Sequence, residues 1–155
     1  MERCVQEKLS ALVAVCDLCV IYQPVRAEVD PKSLPLELPS KQVVVPVGPS
    51  TDPQIFGREI NEQFGNMRGV ILIPGRKFDK FGGCHGKGWG WYDRFLSVIP
   101  SRWVRIGICS QSEYSDSRLM LQKWDEVMDW VVVSDNGTFI SHETHARGSP
   151  SRLGK

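Results

Sequence analysis

The chain has 155 residues and a formal net charge of +1, with 41% hydrophobic and 24% charged residues. That length suits one domain with a sizeable core, and near-neutrality gives no reason to expect nucleic acid or an anionic membrane as the main partner. No stretch has the unbroken apolar length of a spanning helix. The opening "MERCVQEKLSALVAVC", broken by Glu7 and Lys8, lacks the order of a signal peptide, so a cytoplasmic protein is expected.

In chain order, "VQEKLSALVAVC" sets Val5, Leu9, Leu12 and Val13 at helical spacing and predicts a helix from Val5 to Cys16. "LCVIY" is a β-rich run that stops at Pro24. Pro31, Pro35 and Pro39 rule out a long helix between Asp30 and Ser40. "KQVVVPV" predicts a second strand, whose continuous valines suit burial on both faces. "PQIFGREINEQFG" predicts a short helix closed by Gly65, although Gly57 weakens it. "GVILIPG" is the clearest strand. "WYDRFLSVI" predicts a helix with Trp91, Phe95, Leu96 and Ile99 on one side, stopped by Pro100. "WVRIGIC" and "DWVVVS" are the fourth and fifth strands, and "SRLMLQKWDEVM" between them is helical only in part. Trp103, Trp124 and Trp130 read as packing residues.

Apolar strands alternating with helical stretches predict a three-layer α/β/α fold with a mainly parallel central sheet. Residues 1–140 would form this single domain. Residues 141–155 have little to bury and are expected to be a mobile tail. In such sheets a ligand sits beyond the carboxyl ends of the strands.

The five cysteines, Cys4, Cys16, Cys19, Cys84 and Cys109, follow no disulfide framework and are expected to be reduced thiols. Cys16 and Cys19 have C-x-x-C spacing, but no second such pair completes a zinc site. His142 and His145 stand three apart with no third ligand nearby.

"GGCHGKGWGWYDRFL", from Gly82 to Leu96, carries the chemistry. Gly82, Gly83, Gly86, Gly88 and Gly90 remove β-carbons where strand turns to helix, so successive backbone N–H groups can face one concavity that suits phosphate oxygens. Lys87 adds a full charge, and Asp93 in the first helical turn is placed to hold a magnesium ion bridging phosphates. The other reading is a tight turn that merely packs closely, with Asp93 a helix-start acid favoured by the dipole. A Walker loop fails because Gly88 follows Lys87. A dinucleotide fingerprint fails because the glycines are spaced G-x-G-x-G, several residues after the strand.

"IPGRKFDKFGGCHGKGWGWYDRFL" resembles the signature of 5-formyltetrahydrofolate cyclo-ligases, the methenyltetrahydrofolate synthetases. That signature has a strand ending in V-P-G, then F-D, then G-x-R-L-G-x-G-x-G-Y-Y-D-R. Phe78-Asp79, Gly82, Gly86, Gly88, Gly90, Tyr92, Asp93 and Arg94 fit it. "IYQPVRAEVD", "KQVVVP" and "KWDEVMDWVVVSDNGTF" resemble its flanking segments, so the likeness runs from Leu18 to Phe139. The resemblance implies an enzyme that uses ATP and Mg2+ to phosphorylate the formyl oxygen of 5-formyltetrahydrofolate. A second nitrogen then attacks the activated carbon, and loss of phosphate leaves 5,10-methenyltetrahydrofolate.

By the same resemblance Cys84, His85, Gly86, Lys87, Gly88, Trp89, Gly90, Trp91 and Tyr92 would hold ATP, with Lys87, Tyr92 and Asp93 catalytic. Asp93 and Asp125 would be the magnesium ligands. Val25, Glu28 and Asp30, with Lys87, Trp89 and Trp91, would meet the folate. The chain departs from the pattern at Cys84, where the family has arginine, and at His85, where it has leucine. The family's N-terminal helix with nucleotide-contacting basic residues is matched only by Arg3 and Lys8, and its segment between Pro46 and Gly69 is longer. The expected partners are therefore ATP and 5-formyltetrahydrofolate, in a monomer or small homo-oligomer. The alternatives are a relative that binds folate, nucleotide or a protein partner without turnover, and a kinase or transferase using the same loop on another acceptor.

Overall fold

The computed structural model describes residues 4–46, 50–86 and 90–148. In chain order the elements are α1 (Val5–Ala14), β1 (Leu18–Ile21), β2 (Gln42–Val44), α2 (Pro53–Phe64), β3 (Gly69–Pro74), β4 (Lys77–Asp79), β5 (Cys84–His85), α3 (Trp91–Leu96), β6 (Val104–Ser110), β7 (Tyr114–Ser115), β8 (Trp130–Asp135) and β9 (Thr138–Glu143). Two short 3-10 turns, Pro31–Ser33 and Gln111–Glu113, complete the order.

β3 shows why the sheet is layered on both sides. Its residues 69–73 are all buried. Ile71 and Ile73 face a core shared with Ile60 of α2 and with Phe95 and Leu96 of α3. Val70 and Leu72 face the opposite core, with Leu9 and Val13 of α1 and Leu34. A strand covered on both faces has no polar side to present, and hence the unbroken run. The main sheet runs β2-β1-β3-β6-β8-β9. Its first five strands are parallel and β9 is antiparallel to β8. The fold is the expected three-layer α/β/α arrangement with a mainly parallel sheet.

A second, three-stranded sheet of order β5-β4-β7 was not anticipated. It follows β3 and packs on the α2–α3 side, where the fully buried Phe78 belongs to the same core as Phe95. Among helices, α2 is set by Asp52, whose carboxylate accepts from the amides of Gln54 and Ile55, and by Pro53 in its first turn. Gly57, unfavourable in a helix, lies where α3 passes: a β-carbon there would come within 2.4 Å of Val98 Cγ2.

Four expectations need correction. β2 is exposed or half-buried along its length rather than buried on both faces, because it is the edge strand of the sheet. Trp103 and Trp130 are buried, but Trp124 is 64% exposed and belongs to neither core. The helix from Val5 ends at Ala14, before Cys16.

The last concerns the tail expected from residue 141. β9 continues through Glu143, and Arg147 docks beyond it. Its Nε and Nη2 each reach the Asp129 carboxylate at 2.9 Å, and Nη2 also donates to the Trp103 carbonyl at 3.0 Å. Asp129 in turn accepts from the Arg105 amide at 2.8 Å. The described residues after 140 are therefore tied to the fold by β9 and by Arg147.

Candidate functional site

The chain leaves β1 outward to β2 and returns to β3 on the other side, so the sheet order reverses between β1 and β3. Crevices outside the carboxyl ends at such reversals are where open α/β sheets bind ligands. A cleft lies there, lined by Tyr22 after β1, Val45 and Pro46 after β2, Pro74 at the end of β3, and Trp91 and Tyr92 of α3. Glu28, Pro74, Trp91 and Tyr92 also line a second, adjoining cavity that reaches Cys84, Gly86, Asp93 and Met128. Sharing these four walls, the two cavities together outline a bent groove between the sheet end, α3 and β5.

The glycine-rich stretch divides into two parts with different tasks. Gly82 and Gly83 belong to a packed turn. Gly82 has φ +94, and a β-carbon on Gly83 would lie 2.5 Å from an Asp79 carboxylate oxygen. The amides of Phe81 and Gly83 are already taken by Asp79 Oδ1, each at 2.8 Å. These two glycines therefore wrap a buried acid, and no phosphate finds their N–H groups free. The second part is open: Gly86 lines the groove with no atom within 4 Å of an added β-carbon, and Gly90 enters α3 in the left-handed region. Lys87, Gly88 and Trp89, expected at the heart of the nucleotide site, lie outside the described residues.

The two residues of β5 face opposite ways, as alternation requires. Cys84 joins the core side and lines the groove, while His85 is exposed with Nε2 2.8 Å from the Met120 carbonyl. Burial, and next the charge of Asp93, pushes the Cys84 thiol well up, so it stays a neutral thiol. His85 lines neither cavity and so does not take the place of the missing arginine there. Among the described residues no lysine or arginine lines either cavity.

Asp93 and Asp125 come together although 32 positions separate them in sequence (125 − 93). Asp93 Oδ1 accepts from the Glu126 amide at 2.9 Å, and Asp125 Oδ2 accepts from the Gln122 amide at 2.8 Å. The Asp93 carboxyl is held above the usual carboxylate range, first by burial and then by the neighbouring Asp125 carboxylate, against the pull of the Glu126 amide. Asp93, whose ionisation is opposed by burial and by its acidic neighbour, forms with that neighbour a donor set suited to a hard divalent cation. Magnesium is commonly held by one or two carboxylates, with phosphate oxygens and water completing six. Among the described residues, no group of three or more His, Cys, Asp or Glu side chains is arranged to hold a metal.

Of the expected folate contacts, Glu28 lines both cavities and Val25 the first. Glu28 Oε1 also accepts from the Val25 amide at 2.9 Å, which fixes the loop after β1. Asp30 is not with them: its carboxylate caps the Pro31–Ser33 turn by accepting from Lys32 N at 2.9 Å. Trp91 is half-buried, stacks on Phe95 at 5.3 Å and donates from Nε1 to the Thr51 carbonyl. It is a wall of the groove and a core residue at once. The Tyr92 hydroxyl is pushed far up by burial and then by Glu28, so it remains a proton donor. Tyr22, Gln23, Pro46 and Met128 of the lining were missed in sequence, because nothing but the fold brings them there.

A doubly wound α/β protein with a groove at its switch point, whose lining includes Asp93 beside a second acid, is the class these features define. Two solved structures share the fold. One is a 5,10-methenyltetrahydrofolate synthetase from Mycoplasma pneumoniae, at TM-score 0.52 and 19% identity, over 82% of this chain and 79% of that one. The other is the Aquifex aeolicus 5,10-methenyltetrahydrofolate synthetase, at TM-score 0.54 and 18% identity, over 91% of this chain and 85% of that one. At these identities the likeness is one of fold. No protein-family model and no curated protein matches the sequence. Among the described residues, no helix is long and apolar enough to cross a membrane.

Proposed function

We propose that this chain is a divergent 5-formyltetrahydrofolate cyclo-ligase, which consumes ATP with Mg2+ and yields 5,10-methenyltetrahydrofolate, ADP and phosphate. The observation that carries the proposal is the Asp93–Asp125 pair beside the open part of the glycine stretch, in a fold shared with two such synthetases. The formyl oxygen is a poor leaving group until it bonds to the γ-phosphorus, as the bond from that phosphorus to ADP breaks. Catalysis of such a transfer is positioning and charge neutralisation.

Each element of the groove has a task in that chemistry. Asp93 and Asp125 would hold Mg2+, which when bound neutralises charge on the phosphates. Glu28 would accept paired hydrogen bonds from an aminopyrimidine edge. Trp91 and Tyr92 present flat apolar faces to a pterin or adenine ring. Lys87 remains the loop's own cation. Purified protein with 5-formyltetrahydrofolate, ATP and Mg2+ should show growing absorbance of the methenyl product, dependent on all three. No absorbance change at high enzyme concentration would contradict turnover.

A second reading has a specific observation in its favour: Cys84 stands where the family has arginine, and no described cation lines the groove. A protein so altered would bind folate or nucleotide without turnover, and calorimetry would then detect binding where the absorbance assay detects nothing. The same position yields a prediction. Cys84→Arg should tighten ATP binding about ten-fold or more, since a charge-assisted hydrogen bond contributes roughly 1.5–3 kcal/mol. An unchanged or higher dissociation constant would contradict the placement of Cys84 beside the phosphates.

A further inference from the structure

Asp79 is 0% exposed, yet neither the motif nor the groove assigns it a task. Its carboxylate accepts three backbone N–H bonds. Oδ1 takes Phe81 and Gly83, each at 2.8 Å, and Oδ2 takes Leu119 at 2.7 Å. The first two close the glycine turn. The third reaches 40 positions along the chain, to the segment from Leu119 to Glu126 (119 − 79). That segment carries Asp125, and its far end is held by Asp93 itself through the Glu126 amide. Between the ends, His85 adds the contact to the Met120 carbonyl. The side chains of the stretch add less: Met120 is 86% and Trp124 64% exposed, Leu119, Leu121 and Asp125 are half-buried, and Glu126 Oε1 pairs with Arg105 Nη1 at 2.9 Å.

A segment with neither helix nor strand, and half-buried at most, has little burial of its own to fix it. Its position rests on these polar clips, among which the Asp79 carboxylate is fully buried and holds three N–H donors. Only an acid serves. Asparagine has one acceptor oxygen and would turn its own N–H groups toward the Leu119 N–H.

We propose that Asp79 is a positioning residue: its buried carboxylate ties the Leu119–Glu126 segment to the glycine turn and so sets where Asp125 stands relative to Asp93. The inference rests on the proposed magnesium–nucleotide site and adds to it the residue that assembles the acid pair.

The test is the Mg2+ concentration needed for half-maximal thermal stabilisation in saturating β,γ-imido-ATP, measured on the parent, Asp79→Asn, Leu119→Pro and the core control Ile60→Val. Leu119→Pro removes the donor that Oδ2 receives while leaving the Asp79 carboxylate in place, so the question stays answerable if Asp79→Asn does not fold. Loss of an outer-sphere support commonly weakens metal affinity about 10–100-fold, so Asp79→Asn and Leu119→Pro should each raise the required Mg2+ about ten-fold or more. Ile60→Val should lower the melting temperature without moving the Mg2+ requirement. A parent that responds to Mg2+ while both variants respond at its concentrations overturns the role of Asp79 alone. A parent with no Mg2+ response overturns the proposed site, and this inference with it.

Discussion

Asp93→Asn is expected to lower turnover of 5-formyltetrahydrofolate about a hundred- to thousand-fold, the scale of losing one preorganised charge-stabilising group, and also to raise the melting temperature of the ligand-free protein. The two effects share a cause. Asp93 is partly buried beside Asp125, and both facts oppose its ionisation. Its folded-state value therefore lies above its unfolded one. The stability that this group contributes is complete at pH below the ordinary carboxylate value, and it is lost as pH rises through the folded-state value. At neutral pH the unliganded protein carries the full penalty, which a divalent cation would relieve. Asparagine keeps an acceptor for the Glu126 amide and discards the charge. Thermal melts of both proteins from acid to neutral pH, without ligand, should converge in acid and separate toward neutrality, with the variant the more stable. A variant less stable than the parent at neutral pH would mean that the acid pair is not under strain, and the argument for a cation there would fail.

Arg147→Ala is expected to destabilise the protein by about 3–5 kcal/mol, because it strands the buried Asp129 carboxylate. For a chain of this size that corresponds to a fall in melting temperature of roughly 10 °C. The bond set explains the size: Asp129 loses both 2.9 Å contacts from Arg147 and keeps the Arg105 amide, while the Trp103 carbonyl loses its guanidinium partner. Replacing both members, Asp129→Asn with Arg147→Met, should recover part of the loss, since no charge is then left buried and unpaired. A shift of less than about 2 °C on Arg147→Ala, smaller than a single kcal/mol produces at this length, would show that residues after β9 contribute nothing to the fold.

Much of this architecture was legible because burial on two faces leaves a strong mark. The apolar runs of β3, β6 and β8 could be nothing but covered strands, and from them the layered sheet followed. The valines of β2 carry the same mark and misled: a continuous apolar run does not say whether a strand has neighbours on both sides, and β2 has one. β9 was missed although its signal was present. Asn136 and Gly137 have φ of 50 and 85, the left-handed pair of a two-residue hairpin turn, and Asp135 pairs Thr138 across it. "DNG" between "VVVS" and "TFISHE" says as much.

The site was legible in part, for a physical reason. Local motifs placed Asp93, Tyr92 and the open end of the glycine stretch, since helix entry and backbone exposure are local properties. The meeting of Asp93 with Asp125, or of Asp79 with Leu119, depends on how a loop without periodicity crosses the fold. The resemblance supplied Asp125 and nothing supplied the role of Asp79. Gly82 and Gly83 looked like phosphate-binding positions because a turn that wraps an internal carboxylate needs the same bare backbone as one that wraps an external phosphate.

Calorimetric titration of ATP into the purified protein, once with Mg2+ and once with a chelator, tests most directly whether the acid pair and the open glycine segment form a metal–nucleotide site. Because the described groove offers carboxylates and no cation, binding should be strong with Mg2+ and should fall below detection without it. Equal affinity under the two conditions, or no heat of binding in either, would contradict the account.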